Sequence, residues 1–266
     1  MNSDKHPESG ECIVIFVRLF AGVLTTIALG GCMSTVPIKV EDNSVFIPAL
    51  RAGINLDGDK YHDASEPQTG RAVEFGFAKA RGSGNQSIAS NTQQVIINYR
   101  AFTGPQQLRN DFDFNFANIS WRWRKFFGER SLGLELLGGF GFTSLGLTVS
   151  SPTQRASGRF DNAGGQGGIG LIWRLHPRTS LQARVTGLIS TDDWGVNNMG
   201  RYELFLAQAL GKNLTLRTGY AKWALNGHCG TNMSDFQLRF SGLAVVLDWD
   251  FNYKNRAKGE DVKEPE

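Results

Sequence analysis

Cysteine is scarce in this chain of 266 residues, with only Cys12, Cys32 and Cys229. Three scattered cysteines form no disulfide framework, which excludes a small cross-linked secreted scaffold. Long apolar runs are missing too. Beyond residue 32 no uncharged stretch approaches the ~18 residues of a spanning helix, so a polytopic helical membrane protein is excluded. A membrane β-barrel remains open, because its alternating strands keep hydropathy low. Charge of one sign is also lacking, since a formal net charge of +3 is too mild for a nucleic-acid surface. What the chain has in excess is glycine, 32 residues without a collagen-like period, which points to tight turns or close strand contacts.

Residues 17–32 read VRLFAGVLTTIALGGC, one basic residue followed by an apolar stretch and small residues before a cysteine. Leu29, Gly30, Gly31 and Cys32 fill the box of the bacterial lipoprotein signal peptide, which this segment resembles. The resemblance implies that residues 1–31 are a signal peptide, that Cys32 is acylated with palmitate-type chains, and that 32–44 form a lipidated linker. Met33 and Ser34, rather than an aspartate, imply the outer membrane. The other reading is an uncleaved anchor over 12–31, interrupted by Arg18.

After a short polar stretch the chain alternates with period two in ten segments separated by turn residues, and no helical period competes. Segments beginning near Phe46, Val73, Val95, Asp111, Leu132, Ile169, Leu181, Tyr202, Leu214 and Asp235 place apolar residues on one face and polar or glycine residues on the other. Two change phase. Phe112, Phe114 and Phe116 give way to Ile119, Trp121 and Trp123, which predicts a bulge near Ala117, and a second change falls at residues 145–149.

Connections after odd segments read as long and polar (57–70, 103–110, 150–162, 191–200, 226–234), whereas most after even ones are tight (128–130, 176–178, 211–213). Alternating long and short connections over an even count resemble a bacterial outer-membrane β-barrel of about ten strands. The fold expected is all-β, an antiparallel up-and-down transmembrane barrel over 45–253 with a charged periplasmic tail at 254–266. Both termini would lie in the periplasm and the long loops outside. Trp121, Trp123, Trp173, Trp249 and Phe251 near the expected periplasmic ends suit a lipid–water interface. A soluble barrel with the apolar face inside is the competing architecture.

If the apolar face meets lipid, Arg51, Glu74, Arg100, Arg122, Arg124, Glu135, Arg174, Arg184, Glu203, Arg217 and Arg239 point into the lumen. They would either pair and fill it or line a narrow porin-like passage for anions.

Four motifs carry chemistry on paper. Residues 165–170, GQGGIG, match a dinucleotide fingerprint without its strand and helix context. Asp57, Asp59, Asp63 and Glu66 supply oxygen ligands at calcium-loop spacing, but Lys60 stands where that loop needs glycine. Asp111 and Asp113 resemble the Asp-x-Asp pair of the ten-stranded omptin proteases, whose Asp-x-His partner is absent. His228, Ser234 and Asp235 are residue types for an esterase at the outer rim. No cofactor is implied. The expected function is an outer-membrane lipoprotein barrel with a structural, surface-attachment or narrow-pore role, in contact with outer-membrane lipid and envelope partners but not nucleic acid. Alternatives are a hydrolase of lipid or peptide, and a lipid-anchored soluble barrel holding an apolar ligand.

Overall fold

The computed structural model describes residues 33–56, 69–127, 131–190, 194–229 and 233–252. The described residues form strands and no helix. The elements are β1(Ser34–Thr35), β2(Ile38–Ser44), β3(Ile47–Asn55), β4(Thr69–Ile88), β5(Gln93–Ile97), β6(Arg100–Thr103), β7(Gln106–Phe127), β8(Leu132–Ser150), β9(Arg155–His176), β10(Thr179–Ile189), β11(Trp194–Ala209), β12(Leu214–Cys229) and β13(Phe236–Asn252).

Nine of these close into a ring, in the order β3, β4, β7, β8, β9, β10, β11, β12, β13. All neighbours run antiparallel except β13, which meets β3 in parallel and, nearer its own start, also meets β2. β2 and β3 thus act as one first strand with a break at Val45–Phe46. Beside β2, Gln86 and Asn110 take over from a backbone ladder: Lys39 N–H donates to Gln86 Oε1 at 3.0 Å, and Asn110 Nδ2 donates to Lys39 O at 2.9 Å.

The ring has nine strands, or ten with β2 counted apart from β3, in keeping with about ten, but the segment at 95–101, expected as one of them, is not in the ring. It turns back at Asn98 and Tyr99, whose φ values of 47° and 62° make the two-residue loop of a small hairpin, β5–β6. Tyr99 is no turn former, so nothing in the local alternation announced the reversal. β1 adds to β5 in parallel, and this three-stranded sheet closes one end of the ring. An odd strand count also sends the chain in at the capped end and out at the opposite one, instead of placing both ends together.

The expected long loops are largely strand. β7 begins at Gln106, β9 at Arg155, β11 at Trp194, and β12 continues to Cys229. Their outer portions alternate polar outward with apolar inward, the reverse of the pattern that marks the other half, and so read as loops in the sequence. β3 ends and β4 begins at the uncapped end, where the adjoining ends of β9 and β10 and of β11 and β12 also lie, and the expected loop at 57–70 lies, up to residue 68, outside the described residues.

No bulge occurs near Ala117 or at 145–149, since β7 and β8 keep one register with each other and with β4 and β9 throughout. The faces stay constant and their chemistry exchanges. Along β7 the inward side chains are Leu108, Asn110, Phe112, Phe114 and Phe116, then Asn118, Ser120, Arg122, Arg124 and Phe126, all buried, mainly apolar in the first group and mainly polar in the second. Outward along the same strand come Arg109, Asp111, Asp113 and Asn115, then Ile119, Trp121 and Phe127. β8, β9 and β13 repeat the exchange, with Phe142, Ala163 and Leu243 as the first apolar outward residues below the polar ones. The capped half is therefore built like a soluble protein, and the other half is inverted.

Candidate functional site

In the capped half the interior is an aromatic and aliphatic core. Trp223 lies at the centre, edge-on to Phe114 and Phe116 with centroids 5.4 Å away, and stacked on Phe240 at 6.1 Å. From the hairpin come Val95, Ile97 and Phe102, each fully buried. Arg201 marks the boundary, its guanidinium 5.2 Å from the Phe116 ring and 5.1 Å from that of Trp223, a cation–π arrangement.

Below that boundary the interior is ionic. Arg184 bridges two acids, donating to Glu74 at 2.8 Å and pairing with Glu135 at 2.6 Å. Glu74 also receives Arg122 at 3.2 Å, and Glu135 receives Arg124 at 2.6 Å. Arg51 meets both oxygens of Glu203, at 2.7 and 2.8 Å, and Arg201 approaches Glu203 at 3.7 Å. Arg217 pairs with Asp248, and Arg122 reaches Asp250 at 3.5 Å. Each of these arginines thus has a carboxylate beside it, which is what burial of charge demands. Two interior cavities, one beside Arg51 and Asn118, the other beside Glu135 and Gln182, hold about 10 Å³ each, no more than a single water.

The structure brings together Arg51, Glu74, Glu135, Arg184, Glu203 and Arg217 with Arg122 and Arg124 in this network. Arg174 also faces inward, near the uncapped end, 3.9 Å above the Phe126 ring. Two candidates for the lumen lie elsewhere. Arg100 is in the cap hairpin and donates to Arg155 O at 3.0 Å, because its segment never joins the ring. Arg239 faces outward, because it lies above the level at which the faces exchange chemistry. Arg201, Asp248 and Asp250 were missed. Both aspartates flank Trp249 on β13 and could have been found by extending its alternation to the polar face.

His228 and Asp235 meet at the capped rim, Nδ1 to Oδ1 at 2.5 Å, both exposed. Ser234 does not join them. It is buried, its Oγ accepts the Ile96 N–H at 2.9 Å, and its own N–H donates to Ile96 O at 2.9 Å, so it fastens the hairpin. A serine nucleophile activated by His228 is not assembled there. Asp111 and Asp113 face outward and pair with Arg109 at 3.0 Å and Arg81 at 2.7 Å, away from the interior. Residues 165–170 run through the middle of β9 with no helix after them. Cys32 and the calcium-loop candidates Asp57, Asp59, Asp63 and Glu66 lie outside the described residues. Among the described residues no cluster of three metal-ligating side chains occurs.

No protein-family model, no curated protein and no solved structure matches this chain.

Proposed function

We propose that the chain is a bacterial outer-membrane β-barrel, inserted by its uncapped half and filled from end to end, with a structural or attachment role and no conduit. The observation that carries this reading is the exchange of chemistry between the faces of unbroken strands. A soluble barrel needs no outward Phe75, Phe77, Leu136, Phe140, Ile169, Leu171, Trp173, Leu247 and Trp249 around a charged interior, whereas a bilayer requires that inversion. On β8 the outward belt runs from Leu132 to Phe142. About ten residue steps of ~3.4 Å, tilted by roughly 40°, give a height of about 26 Å, close to the ~25 Å apolar band of such barrels. Trp173, Trp249 and Phe251 lie toward its uncapped edge, while Trp121 and Trp123 lie near its middle. Nine is a departure from the even counts of bacterial single-chain barrels, and follows here from parallel closure of β13 on β3.

The filled interior argues against a pore, and the same filling leaves no room for an apolar ligand. A lipid on Cys32 would leave the protein beside Met33 at the capped end, separated from the belt by the polar half. On β8 that half covers residues 144–150, roughly 20 Å along the strand. The belt is therefore the membrane attachment proposed, and acylation becomes a separate outcome of the same experiment.

That experiment is fractionation of cells labelled with a clickable palmitate, with gel migration of the membrane fraction before and after boiling. A heat-modifiable band in the outer membrane, retained in Cys32→Ser, is expected. Release of Cys32→Ser into the soluble fraction would refute insertion by the belt. In planar bilayers the purified chain is expected to give no steady conductance, and stable unitary currents would overturn the filled interior.

A further inference from the structure

Where the belt meets the polar half, the outward residue of β7 is Ala117, paired directly with Phe77 of β4 and Phe142 of β8. A methyl group between two half-exposed rings leaves a groove of about 500 Å³, bordered also by Asn115, Ser144 and Asp161. One row nearer the cap, Lys79, Asn115, Ser144 and Asp161 stand abreast on β4, β7, β8 and β9, in register and all outward. An ammonium at one end and a carboxylate at the other, with two neutral hydrogen-bonding groups between, are thus set over an apolar slot at the edge of the belt.

The charges at the two ends differ in how far they are already engaged. Lys79 lies 3.8 Å from Asp113, which Arg81 meets more closely at 2.7 Å, so Lys79 keeps donors for another anion. Asp161 already accepts from Arg159 Nε at 3.1 Å, with most of its carboxylate still exposed to a further donor. Three strand spacings of ~4.8 Å separate the two residues, about 14 Å between backbones. The Lys79 side chain closes part of that distance, and a head group carrying its own phosphate and ammonium fits the remainder with matching polarity.

We propose that this groove binds one phospholipid of the surrounding bilayer, an acyl chain lying over Ala117, its phosphate at Lys79 and Asn115, and a primary ammonium at Asp161. The proposal rests on membrane insertion by the belt. A phosphoethanolamine head satisfies both ends. A phosphocholine head has no N–H to donate to Asp161 and is the discriminating comparison.

The test uses the full chain in micelles, offered equal amounts of phosphatidylethanolamine and phosphatidylcholine, with retained lipid counted by native mass spectrometry. The wild type is expected to hold one phosphatidylethanolamine in about tenfold preference, the effect of a charge-assisted hydrogen bond. Ala117→Trp, which fills the slot, is expected to retain neither. Asp161→Asn should keep a lipid without the preference. Lys79→Gln, which leaves the slot open, should lose about tenfold in retention. Equal retention of both lipids by the wild type, or undiminished retention in Ala117→Trp, would overturn the proposal. Flotation with vesicles, measured in parallel, separates the two readings. A chain that floats but holds no lipid overturns the groove alone, and a chain that does not float overturns insertion and the groove with it.

Discussion

Arginine at position 169 distinguishes a bilayer from water around the belt more sharply than any other single change. Ile169 faces outward on β9, half exposed, with Leu136 and Val185 beside it on the neighbouring strands and no acid in its row. It lies midway along the apolar run from Ala163 to Leu175, six residues from each edge. That is about 20 Å along the strand and ~15 Å along the barrel axis, farther than an arginine side chain can snorkel. In a membrane, Ile169→Arg therefore costs about 2–4 kcal/mol, the range for arginine near the midplane of a barrel wall. That corresponds to roughly thirtyfold to nearly a thousandfold in the folding equilibrium. In water the same substitution on an exposed strand position changes stability by only about 0.5 kcal/mol. Gln107→Arg, outward on β7 near the cap, is the control, neutral in either medium. The assay is denaturant-driven unfolding from phospholipid vesicles, followed by tryptophan fluorescence. Equal midpoints for Ile169→Arg and Gln107→Arg would refute the reasoning.

The interior and the cap make further predictions. Glu74→Gln leaves Arg122 and Arg184 short of a carboxylate in a buried network and is expected to cost about 3–5 kcal/mol, measured by the same unfolding titration. Trp223→Ala removes the centre of the aromatic cluster and should cost a similar ~3–5 kcal/mol, with wild-type outer-membrane localisation as long as the ring forms. Ser234→Ala strands the Ile96 N–H and should lower stability by about 1–3 kcal/mol, seen as faster hydrogen exchange confined to the hairpin. An esterase activity that vanishes in Ser234→Ala without that exchange would contradict the fastening role. Tyr99→Gly relieves a left-handed residue at the hairpin tip and is expected to stabilise the cap by ~1 kcal/mol, read from the same exchange experiment.

Much of the candidate site could be read from alternation alone. Arg51, Glu74, Glu135, Arg184, Glu203 and Arg217 each sit opposite apolar neighbours in segments whose apolar face is outward, and each lies in the buried network. The failures fall where the pattern is the same but its meaning is reversed. Arg239 shares the face of Leu243, Leu247 and Trp249 on β13, yet its charge placed it in the expected lumen; it faces outward because the polar side is the outer one at that height. Phe112 and Trp121 lie on opposite faces of one unbroken strand, and a sequence that assumes one apolar face can reconcile them only with a bulge. Asp111 and Asp113 looked catalytic because acids at a rim are the residue type required, yet Arg109 and Arg81 hold them on the outer wall.

What the amino-acid sequence determined by itself is local: strands with a two-residue repeat, the tight turns at 177–178 and 211–213, and the pairing of charged with apolar faces along each strand. Only the tertiary structure decided which face is inside at each height, that nine strands close the ring, and that the segment at 95–101 folds into its mouth. The reason is physical. A strand of period two is unchanged by exchanging its faces, so the inside is defined only when the ring closes and every inward row must find partners of its own kind. Carboxylates then collect around Arg184, and aromatic rings around Trp223.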